Sequence, residues 1–419
     1  MKSFVVAFVV VLQLVISIAV QVLIVRLVGV GIETDVFVAV QAFAIVITTI
    51  LVSACQSAWV PRFSTFEERG GSFRDELSVA QGQMTILGGV FLLFILTCGF
   101  WFPLLFSVDV GGGQLYFVTI AVGVAAFFNT LSTILTLAIR VSGGGVIGES
   151  IGLLGAVCSL ILVVLIVPVY GLEGAVLIVL FRSVLVWALS WRILKYPSFS
   201  MVRGGREKEA WLAMRPLLYA GAIYKTAPIF DRYWISKDAV GVLTVYTLAQ
   251  TAMSAFATVI DRSLCIPFLP IFSKYAEAAR YSELRRSYRG LLLKVAALFV
   301  LFILAFVLVR EWVVGFLSLF VFDEHVANMF WLFCVCLIGY SFGVVSGNVL
   351  VAVFYALKNT VTPTKIGMVG FFLGLAIKVA AYFYGGTIGV LLSISIYYLV
   401  NVLFLIIFLE VELNERVSG

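Results

Sequence analysis

Apolar residues run along this chain in long unbroken blocks instead of recurring at the 2- or 3.6-residue spacing of one-sided strands and helices. Blocks of roughly 20 residues, enough to cross a bilayer core as a helix, fall at about 4–29, 36–60, 80–106, 115–139, 147–168, 172–194, 211–235, 240–270, 291–309, 326–357, 365–384 and 386–409. The pattern predicts twelve spans. All are expected to be helices, because lipid offers backbone groups no partners outside a helix or a closed barrel. The first block follows a lone lysine and could suggest a signal peptide, but it is too long and lacks a small-x-small cleavage site, so it is expected to be the first span.

The polar positions show a second regularity. Val36, Phe37, Gln41, Pro61, Phe63 and Ser64 return without a gap as Val245, Tyr246, Gln250, Pro270, Phe272 and Ser273, about 209 positions on. Ala138-Ile139-Arg140 returns as Ala356-Leu357-Lys358, which fits a six-helix repeat with a few residues inserted. The predicted fold class is therefore all-α: a polytopic membrane protein of about twelve transmembrane helices in two pseudo-twofold-related six-helix lobes. Residues 1–195 form the N-terminal lobe, 196–210 a basic cytoplasmic linker, and 211–419 the C-terminal lobe.

Composition agrees: the 419 residues are 63% hydrophobic and 12% charged, about half the charge of a soluble domain. The net charge of +6 reflects topology and not nucleic acid. With the amino terminus inside, about 20 of the 28 basic residues fall on the termini and even-numbered loops, which makes both termini cytoplasmic. The outer loops carry Asp109, Glu173, Asp323 and Glu324 instead. The six cysteines lie in apolar segments and act as small hydrophobes, and the single histidine, His325, sits in an outer loop, so no metal site and no cofactor is expected. Nor does the chain gather the convergent acids or histidines of a hydrolase or transferase; it is not expected to be an enzyme. The triple glycines 111–113 and 143–145 read as turns, since neither opens a phosphate-binding loop.

Charges inside spans cost at least ~2.5–3.5 kcal/mol each and are kept when they pair or face a wet cavity. Arg26 and Asp35 can close one corner as an ion pair, with substrate contact by Arg26 the other reading. Asp231 and Lys378 are expected to pair, and Arg182 to meet Glu149 or a backbone carbonyl. Lys225, in mid-span, is the foremost anion contact. Asp261 and Arg262 are adjacent, about 100° apart on a helix, so at least one should turn to the cavity.

Gly29-Val-Gly-Ile-Glu-Thr-Asp35-Val-Phe37, Trp59-Val-Pro61, Pro267-Phe-Leu-Pro270-Ile-Phe-Ser273-Lys274 and Phe354-Tyr-Ala-Leu-Lys358-Asn-Thr-Val-Thr-Pro363-Thr-Lys365 resemble the polysaccharide transporters and the lipid II flippase of the multidrug/oligosaccharidyl-lipid/polysaccharide (MOP) exporter superfamily. The resemblance implies a V-shaped pair of lobes around a cationic cavity, and outward flipping of an undecaprenyl-linked oligosaccharide by alternating access in a bacterial inner membrane, for cell-surface polysaccharide synthesis. For such a substrate Lys225, with Arg262 and Arg232, would hold the phosphates, while Gln41, Gln250, Tyr224 and Tyr246 would meet sugar hydroxyls and rings. The resemblance further implies the lipid-linked substrate, membrane lipids and a polymerase or other envelope-assembly protein as partners, with no nucleic acid, and a monomer. Two departures stand out. The lipid II flippase has further arginines in helices 1 and 2 and two more carboxy-terminal helices, whereas Leu14, Val20, Thr48, Thr49 and Ser53 are apolar or neutral and this chain is expected to end after helix 12. Lys378 replaces the acid that holds sodium in another branch. The rival readings are a multidrug cation antiporter of the same superfamily, which needs cavity acids, and a scaffold subunit that transports nothing.

Overall fold

A computed structural model describes residues 2–64, 73–97, 112–195 and 205–418. The end of the third expected span, Asp109, Gly111 and most of the 196–210 linker lie outside these residues. The described chain is helical throughout: α1 (Lys2–Val28), α2 (Ile32–Ser64), α3 (Phe73–Leu96), α4 (Gly112–Val141), α5 (Gly145–Ile193), α6 (Gly205–Tyr224), α7 (Ala227–Ile235), α8 (Val242–Ile260), α9 (Leu269–Glu277), α10 (Tyr281–Leu308), α11 (Arg310–Phe320), α12 (Glu324–Cys336), α13 (Ile338–Ala356) and α14 (Val361–Ser418).

Nine helical stretches among the described residues are long and apolar enough to cross a membrane. Two of them, at 49 and 56 residues, exceed what one crossing needs. Each breaks at a glycine with left-handed φ: Gly171 at 52° in α5 and Gly386 at 56° in α14. These elbows fall where spans 5 and 6, and spans 11 and 12, were expected to separate. The two are built alike. Three residues beyond each elbow another glycine lies against the incoming arm, so that a Cβ on Gly174 would come within 3.2 Å of the Ile166 carbonyl and one on Gly389 within 2.1 Å of the Ala381 carbonyl. Side-chain-free positions are needed for the arms to approach this closely. The elbows raise nine stretches to eleven crossings, and α6 with α7 supplies the remaining one.

The chain forms two compact units, Met1–Thr244 and Val245–Gly419. This division falls later than the linker expected at 196–210, because α6 packs along α2 and joins the first unit. The core of that unit centres on Trp59, Phe63, Leu77, Met84, Leu135 and Met214, contributed by α2, α3, α4 and α6. The second unit is built around Phe272, Leu284, Tyr288, Phe299, Phe354 and Leu409. Phe8, Val15, Leu93, Val164, Leu165 and Val169 are exposed, as expected of helices that face acyl chains.

One helix was not anticipated. Where only a short loop was expected between spans 9 and 10, α11 presents Trp312, Phe316 and Leu319 on one exposed side.

Candidate functional site

The site is best built from the polar groups that the spans bury. At the start of α2 the chain turns through Gly29, whose φ of 99° is left-handed, and Thr34 Oγ1 accepts from the Gly31 N–H at 3.0 Å. This cap directs Asp35 toward the turn before α8. Its carboxylate accepts from the Gly241 N–H at 2.6 Å, the Thr244 N–H at 2.8 Å and the Thr244 hydroxyl at 2.5 Å. First-turn N–H groups have no partner within their own helix, so Asp35 caps α8 from a distance and places a negative charge at the positive end of its dipole. Gly241 must be glycine: its φ is 90°, and a Cβ there would sit 2.6 Å from Val30. The expected Arg26–Asp35 pair does not form. Arg26 is exposed, and both Asp35 oxygens are taken by donors that no charge pattern reveals.

The seventh span is interrupted at Lys225 and Thr226, between α6 and α7. Pro228, in the first turn of α7, favours a restart there. The break frees Lys225 to reach α2, where Nζ donates to Ser53 Oγ and to the Thr49 carbonyl at 3.3 Å. Its neighbours are neutral oxygens; among the described residues no carboxylate pairs with it. Thr49 and Ser53, read from the sequence only as neutral positions, are its seat. Arg232 turns back onto its own helix and donates to the Pro228 carbonyl at 3.2 Å while buried, so it is not presented as a free anion contact. Asp231 is buried as well. The side chain of Tyr224 lies outside the described residues.

In the second unit, Pro267 cannot supply the N–H that a continuing helix needs. α8 therefore gives way to a π-helical turn at Asp261–Cys265 and a 3-10 turn at Ile266–Phe268. The wider turn separates the two adjacent charges: the Asp261 carboxylate is hydrogen-bonded by Asn348 and Cys265, whereas Arg262 is exposed. Gln250 is half-buried. Tyr246 is fully buried in packing, so the expectation that its ring meets sugar fails: a side chain with no accessible surface cannot stack on a ligand. Lys378 is buried, with Nζ 5.4 Å from the centre of the Tyr397 ring; it and Asp231 belong to different units.

Gln41 lines a polar cavity inside the first unit, together with Arg182. The partner expected for Arg182 is engaged elsewhere, since Glu149 pairs with Arg140 at 2.9 Å. Arg182 Nη2 donates to Ser17 Oγ at 3.0 Å. No group of three or more potential metal ligands occurs among the described residues.

A two-unit, all-helical membrane bundle with cations and amides held within its spans has the fold of the MOP superfamily transporters. No protein-family model matches the chain, and no curated protein matches it in sequence. Among solved structures, the lipid II flippase MurJ in an inward closed conformation superimposes with a TM-score of 0.77 at 15% identity, over 97% of this chain and 87% of that one. A multidrug resistance MATE family transporter of the MOP superfamily, in its inward-facing conformation, gives 0.80 at 13% identity, over 97% and 96%. A MOP superfamily transporter from Pyrococcus furiosus, for which reverse polarity of the binding pocket suggests a different function, gives 0.67 at 14% identity, over 98% and 96%. Likeness at these identities establishes the fold.

Proposed function

We propose that the protein is a flippase that carries a lipid-linked oligosaccharide, with a phosphate or pyrophosphate at the junction of lipid and sugar, from the cytoplasmic to the outer leaflet by alternating access, for cell-surface polysaccharide synthesis. The observation that supports it best is Lys225. A lysine held at a helix break within a span, seated on a hydroxyl and a carbonyl with no carboxylate partner among the described residues, has no counter-ion for an incoming anion to displace. Charge-assisted hydrogen bonds to phosphate are about twice as strong as neutral ones, and such contact would offset the cost of keeping the ammonium in the bilayer. Arg262, exposed on its π turn, would be a second contact, and Gln41 and Gln250 would meet sugar hydroxyls. Moving negative charge out of a negative interior is favoured by ~2.3 kcal/mol per charge per 100 mV, so membrane potential could drive the cycle with no coupled ion. The termini would face the cytoplasm of a bacterial inner membrane.

The test is flux of a lipid-linked oligosaccharide in proteoliposomes. Lys225→Ala is expected to lose at least tenfold in rate with unchanged thermal stability, and undiminished flux would remove the reading.

A second reading, a multidrug cation antiporter, is favoured by the likeness to MATE transporters and by the buried Asp231 and half-buried Asp261. Protection of cells against hydrophobic cations, lost in Asp231→Asn and kept in Lys225→Ala, would select it.

A further inference from the structure

The first unit contains a cavity of about 290 Å³ between α1, α2, α4 and both arms of α5. That is near the lower limit, roughly 300 Å³, of pockets that hold small molecules. Its lining includes the carboxamides of Gln13, Gln21, Gln41 and Asn129, the hydroxyl of Ser17 and one charge, Arg182. No aspartate or glutamate is among the lining residues. None of the four carboxamides has a protein hydrogen-bond partner among the described residues, and the guanidinium uses one of its five donors, on Ser17 Oγ at 3.0 Å.

The opening is kept by glycine. A Cβ on Gly152 would come within 2.8 Å of Gln13 Nε2, and one on Gly155 within 2.9 Å of Val186 and 3.5 Å of Arg182 Cγ. These two positions leave room for the Gln13 carboxamide against the first arm of α5 and for the stem of Arg182 between the two arms.

An unpaired cation in a span calls for a counter-charge or water. The planar guanidinium matches an oxyanion bidentately, and carboxamides both donate and accept, as hydroxyl groups do. We propose that this cavity is a binding site for a phosphate-type oxyanion held by Arg182, with the surrounding carboxamides taking oxygens and hydroxyls of the same ligand. Inorganic phosphate and the glycosyl phosphate of a lipid headgroup share this chemistry. Lys225 is not among the lining residues, although Gln41 is shared with the reading above, and binding of an oxyanion here does not depend on flipping.

The experiment measures binding of inorganic phosphate and of glucose 1-phosphate to the purified full chain by isothermal titration calorimetry. At least one of them is expected to bind the wild type, with affinity at least tenfold weaker in Arg182→Gln and partly restored in Arg182→Lys; binding abolished by Lys225→Ala but kept in Arg182→Gln would overturn the proposal. Glucose 1-phosphate binding tenfold or more tighter than phosphate would identify a headgroup site, and equal affinities a free-anion site. Should Arg182→Gln not fold, Ser17→Ala, which releases the guanidinium, and Gly152→Ala, which crowds Gln13, are each expected to weaken binding several-fold. Binding of neither ligand, or wild-type affinity in the folded variants, would overturn the proposal. Arg182-dependent phosphate binding that persists in a Lys225→Ala protein with lost flux would show the two sites to be independent.

Discussion

Replacing Asp35 by asparagine keeps the shape of the side chain and removes its charge. The carboxylate receives three donors, from the Gly241 and Thr244 amides and the Thr244 hydroxyl. Hydrogen bonds to a charged group contribute ~1.5–3 kcal/mol against ~0.5–1.5 for neutral ones, so three bonds lose about 3 kcal/mol of charge assistance. The new NH2 also faces a donor, which leaves one buried N–H without an acceptor at ~1–3 kcal/mol. Relief of the cost of burying a carboxylate works in the other direction, and we expect a net loss of ~2–4 kcal/mol. At ~2 °C per kcal/mol, the lower end of the scale and suited to a long chain, Tm should fall by ~4–8 °C. The assay is thermal unfolding of the purified protein in detergent, run as a double-mutant cycle with Thr244→Val, which removes only the hydroxyl. A coupling of ~1 kcal/mol or more is expected, whereas independent sites add to within ~0.3–0.5 kcal/mol. An unchanged Tm in Asp35→Asn, or strict additivity with Thr244→Val, would show that this corner does not hold the ends of α2 and α8.

Two further outcomes follow from the second unit. Gly389→Ala would place a methyl 2.1 Å from the Ala381 carbonyl, so it should cost at least ~3 kcal/mol and abolish monodisperse protein on size-exclusion chromatography; wild-type behaviour would contradict the geometry of the elbow. Glu410 receives Arg285 at 3.0 Å, Arg289 at 2.7 Å and the Tyr288 hydroxyl. Because this cluster is partly solvated, Glu410→Gln should cost only ~1–2 kcal/mol, with a larger Tm loss at low salt than at high salt; an equal loss at both would argue that packing dominates.

Hydropathy located the crossings well because lipid allows few alternatives: the breaks near Gly171 and Gly386 and the start of α8 all lie within a few residues of the expected boundaries. Side-chain partners were harder to foresee, since a sequence gives depth along a helix but not which neighbour faces which side. Arg182 and Glu149 lie on the two arms of α5, yet Glu149 meets Arg140 and Arg182 meets Ser17. Neutral seats such as Ser53 and Ser17 carry no charge signal at all. The partner of Asp35 did leave a trace, because its separation from Thr244, 244 − 35 = 209, is the offset of the internal repeat. The α11 helix also left one, in the helical spacing of Trp312, Phe316 and Leu319, which a search for full-length crossings passes over.

The elbows at Gly171 and Gly386 leave no slack between the crossings they join. An inserted tag, a protease site or a few added residues would pry the arms apart there, whereas the same insertion in an ordinary surface loop passes unnoticed. Each elbowed pair is therefore expected to travel as one stiff lever, so labels on its two arms should report the same displacement at the same moment.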